Sequence, residues 1–271
     1  MVIDRFVDPP PGGHYPPDFL AGRCALVTGA ARRIGRALAV GLAEAGAAVV
    51  VHHHTSAGAA AEVVAQIAGR GGLAWTLAGD LADAECAEKL VAAAAAVAGR
   101  PVDILVNNAS IFAPGDAATT SVADWDRNVA VNLRAPFLLA RGLARQLPDG
   151  AVGDVVNLND DRALQPPADH FPYTISKVGL HGLTRSLAAA FAPRIRVNEL
   201  ALGAVLPPAG AADDYVHVLK RDIPLGRFGS VADVAHALLF LLGNPAVTGQ
   251  TILLNGGRQL GCGPGAETEA T

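Results

Sequence analysis

Cysteine is scarce in this chain of 271 residues, and Cys24, Cys86 and Cys262 are far apart. Their spacing matches no metal-ligand pattern and their number is odd, so we expect free thiols in a reducing compartment and no metal site. No apolar run reaches the roughly 20 residues of a membrane-spanning helix. Residues 1–17 are acidic and proline-rich, whereas a signal peptide begins with basic residues and an apolar run. We therefore expect a soluble cytoplasmic protein without a membrane partner.

A strong excess of either charge sign is also absent. The formal net charge is −4, which argues against a partner such as nucleic acid. Hydrophobic residues make up 51% and charged residues 17%, a balance typical of a globular chain with one large core. We expect a Pro/Gly-rich N-terminal extension over residues 1–20, a single folded domain over 21–260 and a disordered tail over 261–271.

Short Val, Leu and Ile runs alternate with longer stretches of helical periodicity along the chain. The predicted strands are 24–28, 47–51, 73–78, 102–106, 154–158, 195–200 and 251–254. The predicted helices are 34–45, 59–69, 84–98, 122–146, one that carries Tyr173 and ends near Ala192, and 231–242. Strands that are apolar throughout are buried on both faces. The pattern predicts an α/β fold with one doubly wound (Rossmann-type) parallel sheet of about seven strands and helices on both faces.

A glycine-containing turn joins the first strand to the first helix, and residues 28–35 read TGAARRIG. In this context the turn predicts a dinucleotide-binding loop, because Gly29 permits a tight turn and Gly35 permits close helix packing. The helix N-terminus would face the pyrophosphate. Arg33 stands where the common motif has a glycine, so we expect its cation to contact phosphate or substrate. A plain strand-to-helix turn is the alternative.

No acidic residue lies between Glu44 and Glu62, where enzymes that prefer NAD usually hold the ribose with one. Arg32 and the end of the second strand instead offer donors for a 2′-phosphate, so NADP(H) is favoured. These strand-end residues are His52, His53, His54, Thr55 and Ser56. A solvated strand end is the alternative, and a metal site is disfavoured because adjacent strand residues point to opposite faces.

Tyr173 and Lys177 are four residues apart, which on a helix places them on one face with about 5–6 Å between their Cβ atoms. We expect the ammonium to lower the phenol's pKa from about 10, so that the tyrosine exchanges a proton near neutral pH. The chain has only three tyrosines and three lysines, which makes a chance pairing less frequent. An ordinary helix-surface pair is the alternative.

From about residue 22 to 258, the chain resembles the short-chain dehydrogenase/reductase family. The landmarks beyond the loop and the Tyr-x-x-x-Lys pair are Asp80-Leu81, Asn107-Asn108-Ala109, Asn132, Arg196-Val197-Asn198, Thr248-Gly249-Gln250 and Asn255-Gly256-Gly257. The resemblance implies that Asn132 completes a proton relay through Lys177. The implied cofactor contacts are Gly29, Arg32, Arg33, Ile34, Gly35, His53, His54, Thr55, Ser56, Asp80, Leu81, Asn108, Ala109, Ser110, Tyr173 and Lys177.

One departure from the common family pattern is informative, because Asp160 stands where most members carry a serine, thirteen residues before the tyrosine. Asp160, Arg33 and the run Asn-Asn-Ala-Ser-Ile-Phe at 107–112 together resemble the pteridine reductase and dihydromonapterin reductase branch of the family. His52, Ser56 and Arg258 are also similar to residues of that branch. The resemblance implies NADPH-dependent reduction of a C=N bond in a dihydropterin. The implied catalytic residues are Asp160, Tyr173, Lys177 and Asn132, and the implied substrate contacts are Arg33, Ser110, Phe112, Asp160 and Tyr173.

Physical chemistry supports this hypothesis. A flat pterin can stack on Phe112, and its N–H donors suit a carboxylate such as Asp160 better than a hydroxyl. For Phe112 the alternative is ordinary packing, and for Asp160 beside Asp161 it is a solvated loop pair.

Two other functions compete with pterin reduction. A carbonyl reductase acting on a ketone or acyl-carrier substrate would be expected to carry the missing serine, and a non-catalytic dinucleotide-binding protein would be expected to lack the Tyr/Lys pair. Residues 198–203 depart from the family's Pro-Gly pattern, and substrate preference in this family is usually set in the segment that corresponds to 207–220. The apolar faces of the helices ending near Gln146 and Ala192 predict a homodimer or homotetramer.

Overall fold

The computed structural model describes residues 15–206 and 223–261. Most of the predicted N-terminal extension, almost all of the predicted tail and the 207–220 segment lie outside these residues. The domain boundaries proposed at 20 and 261 therefore stay predictions.

Seven strands form one parallel sheet in the order β3-β2-β1-β4-β5-β6-β7. They are β1 (Cys24–Val27), β2 (Ala48–His53), β3 (Ala74–Ala78), β4 (Ile104–Asn107), β5 (Gly153–Asp160), β6 (Ile195–Leu202) and β7 (Thr251–Leu254). From β1, the chain adds β2 and β3 toward one edge of the sheet and then β4 to β7 toward the other edge, so the order switches between β1 and β4. A crevice opens at such a switch point beyond the carboxyl ends of the strands.

The helices cover both faces of the sheet, as predicted. They are α1 (Arg33–Glu44), α2 (Ala57–Ala68), α3 (Ala84–Ala98), α4 (Val122–Val129), α5 (Ala135–Gln146), α6 (Phe171–Phe191) and α7 (Val231–Gly243). Alternate residues of β1 enter two separate cores: Ala25 and Val27 pack with α1, α2 and α7, whereas Cys24 and Leu26 pack with α3 and α5. The single-domain, doubly wound fold is confirmed. In the part of the chain described, no helix combines the length and apolar character needed to cross a bilayer.

Local signals explain where several helices begin and end. The side chain of Asp83 accepts a hydrogen bond from the Glu85 amide at the start of α3, and Gly99 ends that helix in the left-handed conformation with φ 65°. Ser230 and Asp233 form a reciprocal capping box at the start of α7.

Two predicted elements differ from the structure. The single helix predicted over 122–146 is divided by a π-helical turn at Ala130–Arg134, which contains Asn132; such turns often occur at functional sites. Strand β5 was predicted to end at Leu158, where its apolar run ends. It continues to Asp160 because Asn159 and Asp160 remain paired with β6, so Asp160 ends a strand and does not lie in a loop.

Candidate active site

A groove with a cavity volume of about 400 Å³ opens at the switch point of the sheet. Its lining residues are Gly29, Arg32, Arg33, Ile34, Gly35, His52, His54, Gly79, Asp80, Leu81, Asn108, Ala109, Ser110, Ile111, Arg127 and Val131. Most of the predicted cofactor contacts are therefore gathered here. Sequence reasoning missed Gly79, Ile111, Arg127 and Val131 as lining residues. Ile111 belongs to the run at 107–112, but its apolar side chain did not indicate a cofactor contact.

The two loop glycines shape one end of the groove. Gly29 has φ +62°, and a Cβ atom on Gly35 would lie 2.4 Å from the Gly29 carbonyl oxygen and 2.5 Å from Nδ2 of Asn108. The Asn108 amide donates to the carbonyls of Thr28, at 2.8 Å, and Gly29, at 3.2 Å. The loop thus leaves its backbone close to the N-terminus of α1, as a bound pyrophosphate requires.

Arg33 takes the backbone conformation that a glycine would favour at its position. Its φ is 52°, and a side chain in this region costs roughly 1–2 kcal/mol. Its guanidinium lines the groove and donates to the Leu206 carbonyl at 3.4 Å. Strain at a cationic loop residue points to a functional use of the side chain.

The three histidines at the end of β2 point alternately to opposite faces of the sheet. His52 is buried: its Nδ1 accepts from the Gly29 amide at 3.2 Å, and its Nε2 lies 3.2 Å from the Gly79 carbonyl. Burial lowers the pKa of His52 to about 4, so it is a neutral structural group that supports the loop. His54 is exposed in the groove, with Nε2 3.8 Å from Oδ2 of Asp80.

Five of the predicted cofactor contacts lie outside the groove lining, and their contact with the cofactor stays a prediction: His53, Thr55, Ser56, Tyr173 and Lys177. Among the residues that the structure describes, the groove lining includes neither His53, which is buried, nor Thr55 or Ser56. The side chains of His52 and His54 face the groove because of the pairing register of β2. Residue types alone do not show which side chains of the strand face the groove.

Three of the predicted catalytic residues meet between the end of β5 and helix α6. The Tyr173 hydroxyl donates to Oδ2 of Asp160 at 2.6 Å, and Oδ1 of Asp160 accepts from the Arg162 amide at 3.0 Å. The Lys177 ammonium donates to the Leu158 carbonyl at 2.8 Å and lies 5.7 Å from the centroid of the Tyr173 ring. The acid selected by its spacing from the tyrosine therefore contacts it directly.

The expected lowering of the Tyr173 pKa is wrong for this arrangement. Burial raises the pKa of the phenol well above its usual value, and the Asp160 carboxylate raises it further. The Lys177 ammonium is directed to the Leu158 carbonyl, and its own pKa is lowered to about 8 by burial, against the opposing effect of Asp160 and Glu199. At neutral pH Tyr173 is consequently a protonated donor.

Asn132 connects the groove to helix α6. Its Oδ1 accepts from the Ser110 hydroxyl at 3.0 Å and the Ile111 amide at 2.9 Å, while its Nδ2 donates to the Ile111 carbonyl and to Oγ of Ser176, each at 3.0 Å. The Ser176 hydroxyl in turn donates to the Tyr173 carbonyl at 2.6 Å. The side chain of Asn132 thus holds the groove wall against the residue preceding Lys177, and the relay through Lys177 stays a prediction.

Phe112 forms an aromatic wall beside the phenol. Its ring is 53% exposed, lies edge-on to Tyr173 at 4.7 Å between centroids, and stacks on His170 at 3.9 Å. The Arg162 guanidinium lies 5.7 Å from the Phe112 centroid and pairs with Asp169 at 2.6 Å. Sequence reasoning missed His170 and Arg162 as neighbours of Phe112. The one signal in the sequence was that Arg162 follows Asp160 by two residues.

Arg258 contacts its own chain at the rim of this site. Its Nη1 lies 3.7 Å from Oδ2 of Asp161, which also accepts from the Asn255 amide at 3.3 Å. Burial raises the pKa of Asp161, and neighbouring Asp160 adds to this effect. Within the described residues, no three side chains are grouped in a way that suits a metal ion.

A doubly wound sheet, a glycine loop at its switch point and a Tyr/Lys pair beside the groove define an NAD(P)-dependent oxidoreductase. The family model described as Enoyl-(Acyl carrier protein) reductase matches residues 29–259. The chain belongs to the short-chain dehydrogenase/reductase family.

Relatives show different activities. D-threitol dehydrogenase of Mycolicibacterium smegmatis is 35% identical, over 88% of this chain and 93% of its own length. The 3-oxoacyl-[acyl-carrier-protein] reductase FabG of Aquifex aeolicus is also 35% identical, over 88% and 98% of the two chains. The crystal structure of FolM alternative dihydrofolate reductase 1 from Brucella canis, complexed with NADP, is similar with a TM-score of 0.83 and 36% sequence identity. The match covers 89% of this chain and 96% of that chain.

Proposed function

We propose that this enzyme uses NADPH to reduce a C=N bond of a dihydropterin to the tetrahydropterin. The observation that carries the proposal is the 2.6 Å hydrogen bond between Tyr173 and Asp160, with the Phe112 ring 4.7 Å from the Tyr173 ring. A carboxylate, a phenol and an accessible aromatic face beside the groove suit a flat substrate with N–H donors. The similarity to an alternative dihydrofolate reductase supports the same substrate class.

The groove fits a phosphorylated dinucleotide. A Cβ atom on Gly35 would collide with the Gly29 carbonyl and the Asn108 amide, so glycine lets the N-terminus of α1 pack closely against the loop, where it can face the pyrophosphate. Between Glu44 and Glu62 the sequence has no carboxylate, whereas Arg32 and His54 line the end of the groove beside β2, and such donors suit a 2′-phosphate. Bound NADPH supplies the hydride.

Reduction of a C=N bond also requires a proton at the nitrogen. Tyr173 holds a proton at neutral pH, because burial and Asp160 raise its pKa. Asp160 accepts N–H donors from the ring and exchanges a proton with the phenol through their hydrogen bond. Phe112 orients the ring by stacking through the face that His170 does not cover, and Arg33 contacts both cofactor phosphate and substrate. These roles explain why a carboxylate is useful where most family members have a serine.

Carbonyl reduction is the second candidate, and it is favoured by the names of the dehydrogenase and FabG relatives. In this family a serine hydroxyl usually binds the carbonyl oxygen, and Asp160 occupies that position here. An ionised carboxylate repels the negative charge that develops on a carbonyl oxygen during reduction. The site therefore favours the pterin over the ketone.

NADPH oxidation by the purified protein tests the proposal. The substrate panel comprises dihydropterins, dihydrofolate, quinonoid dihydropterin and simple ketones. We expect kcat/KM to be highest for a pterin. Ketone reduction without any pterin reduction would replace this proposal with the carbonyl alternative, and NADPH binding without turnover of either class would indicate a non-catalytic protein.

We also infer that the protein forms a dimer or tetramer through α5 and α6. Phe137 on α5 and Val178 on α6 are 37% and 36% exposed in the single chain, and helices with apolar outer faces commonly pair across two-fold axes. The molar mass measured by light scattering tests this inference; a monomer at micromolar concentration would contradict it.

A further inference from the structure

A buried carboxylate lies behind the catalytic residues. Glu199 in β6 is 0% exposed. Its Oε1 accepts from Nδ1 of His181 at 2.5 Å and from the Thr251 hydroxyl at 2.7 Å. Its Oε2 accepts from the Asn159 amide at 3.0 Å and from the Thr184 hydroxyl at 3.1 Å.

Burying a carboxylate at this depth destabilises the fold unless both of its oxygens accept hydrogen bonds. The next residues of the strand, Leu200 and Ala201, are buried with apolar side chains. Packing of the core therefore does not require a charged side chain at position 199. The four donors around Glu199 come from β5, α6 and β7. Such a converging set indicates a specific task for the carboxylate.

Asn159 connects Glu199 to two catalytic residues. Its Nδ2 donates to Glu199 and, at 3.2 Å, to the Lys177 carbonyl, while its Oδ1 accepts from the Asp160 amide at 2.9 Å. Rotating the amide by 180° would place its oxygen against the Glu199 carboxylate, which is unfavourable. The charge of Glu199 therefore selects the orientation that supports both backbones.

We propose that Glu199 is a positioning residue that, through Asn159, holds Asp160 and Lys177 in place around the phenol of Tyr173. This role rests on the proposed catalytic use of those three residues. The titratable groups that face Glu199 are His181 and Lys177 on α6 and, across Asn159, Asp160 on β5. The His181 side chain is 23% exposed, so the network reaches solvent at that residue.

The negative charge of Glu199 also acts directly on the Lys177 ammonium. Burial lowers the pKa of Lys177 to about 8, and Glu199 opposes that decrease. Replacing Glu199 with neutral glutamine should therefore lower the Lys177 pKa further. The chain has only three lysines, so ¹⁵N NMR of lysine-labelled protein can follow this titration without any substrate.

The test uses the full-length Glu199→Gln variant. We expect kcat to decrease about 10- to 100-fold, as for a small misplacement of catalytic groups, together with a lower Lys177 pKa. The Asn159→Leu variant has a side chain of similar size and keeps the Glu199 charge. It should lower kcat similarly without lowering the Lys177 pKa.

The matched control is Asp154→Asn, which alters another buried carboxylate, 2% exposed, at the opposite end of β5. Asp154 pairs with Arg23 and Arg196, so this variant should lose thermal stability but retain kcat and the Lys177 pKa. A folded Glu199→Gln protein with wild-type kcat and Lys177 pKa overturns the proposal. So does a loss of stability alone, as in the control.

The substrate assignment can fail separately. If the wild-type enzyme reduces ketones and not pterins, the same ratio of variant to wild-type kcat is measured with the ketone. If it reduces neither, the positioning role is tested by the backbone amide signals of Asp160 and Lys177 in ¹⁵N NMR, and signals that are unchanged in both Glu199→Gln and Asn159→Leu contradict it. If Glu199→Gln does not fold, wild-type kcat in Asn159→Leu overturns it.

Discussion

The Tyr173 hydroxyl donates a 2.6 Å hydrogen bond to Asp160, which joins the first turn of α6 to the last residue of β5. The contact keeps the phenol protonated, since burial and the neighbouring carboxylate both raise its pKa. In the proposed function, the same carboxylate accepts a ring N–H of the substrate. The first two predictions depend on this pair.

Replacing Tyr173 with phenylalanine should lower kcat by about 100- to 10,000-fold, the usual contribution of a positioned proton donor. The residues that line the groove do not include Tyr173, so NADPH affinity should barely change. Steady-state kinetics and fluorescence titration with NADPH measure the two effects. A wild-type rate in this variant would remove the tyrosine from the mechanism.

Replacing Asp160 with serine should reduce kcat/KM for a dihydropterin more than for a ketone. The hydroxyl can bind a carbonyl oxygen but is a weaker acceptor for ring N–H donors. Asp161→Asn is the control, because Asp161 interacts with Arg258 and Asn255, and it should preserve the preference for pterin. A greater loss with the ketone in Asp160→Ser would argue against the pterin role.

Replacing Gly35 with alanine should weaken NADPH binding at least tenfold. The new methyl group would meet the Gly29 carbonyl at 2.4 Å and the Asn108 amide at 2.5 Å, forcing the loop away from the pyrophosphate site. Gly58→Ala in α2 is the control, since a Cβ atom there meets no neighbour within 4 Å. It should bind NADPH normally and gain up to about 1 kcal/mol of stability from helix propensity. Equal affinities in the two variants, measured by calorimetry, would contradict the assigned groove.

Protein stability should decrease as the pH falls from 6.5 to 4, partly because His52 takes up a proton in the unfolded chain while the folded protein keeps it neutral. Its pKa is lowered from 6.5 to about 4 by burial, so the unfolded chain binds more protons than the folded protein in this window. The contribution lost is about 3 kcal/mol. Denaturant unfolding across this range measures it.

The variant for this test is His52→Asn, whose side-chain carbonyl can replace Nδ1 as the acceptor for the Gly29 amide. We expect it to be less stable than the wild type at pH 7 but to lose less stability on acidification. An equally steep pH dependence in both proteins would show that His52 is not the responsible group.

Local features of the sequence were sufficient for the fold and for much of the groove. The alternation of apolar strand runs with helical periodicity predicted all seven strands and most of the helices, since both patterns depend on neighbouring residues. The positions of Gly29 and Gly35 were equally informative, because a tight turn and a close approach are properties of the backbone. The thirteen-residue spacing likewise selected Asp160 over Asp161.

The tertiary structure alone decided the chemistry of individual groups. The direction of the Tyr173 pKa shift depends on burial and on where the Lys177 ammonium points, and neither follows from a four-residue spacing. The separation of His52 from His53 depends on the register of β2, and the extension of β5 to Asp160 depends on pairing with β6. The Glu199 network joins residues from four elements, β5, α6, β6 and β7. Desolvation and hydrogen-bond partners come from segments distant along the chain, so they become definite only when the sheet and helices are assembled.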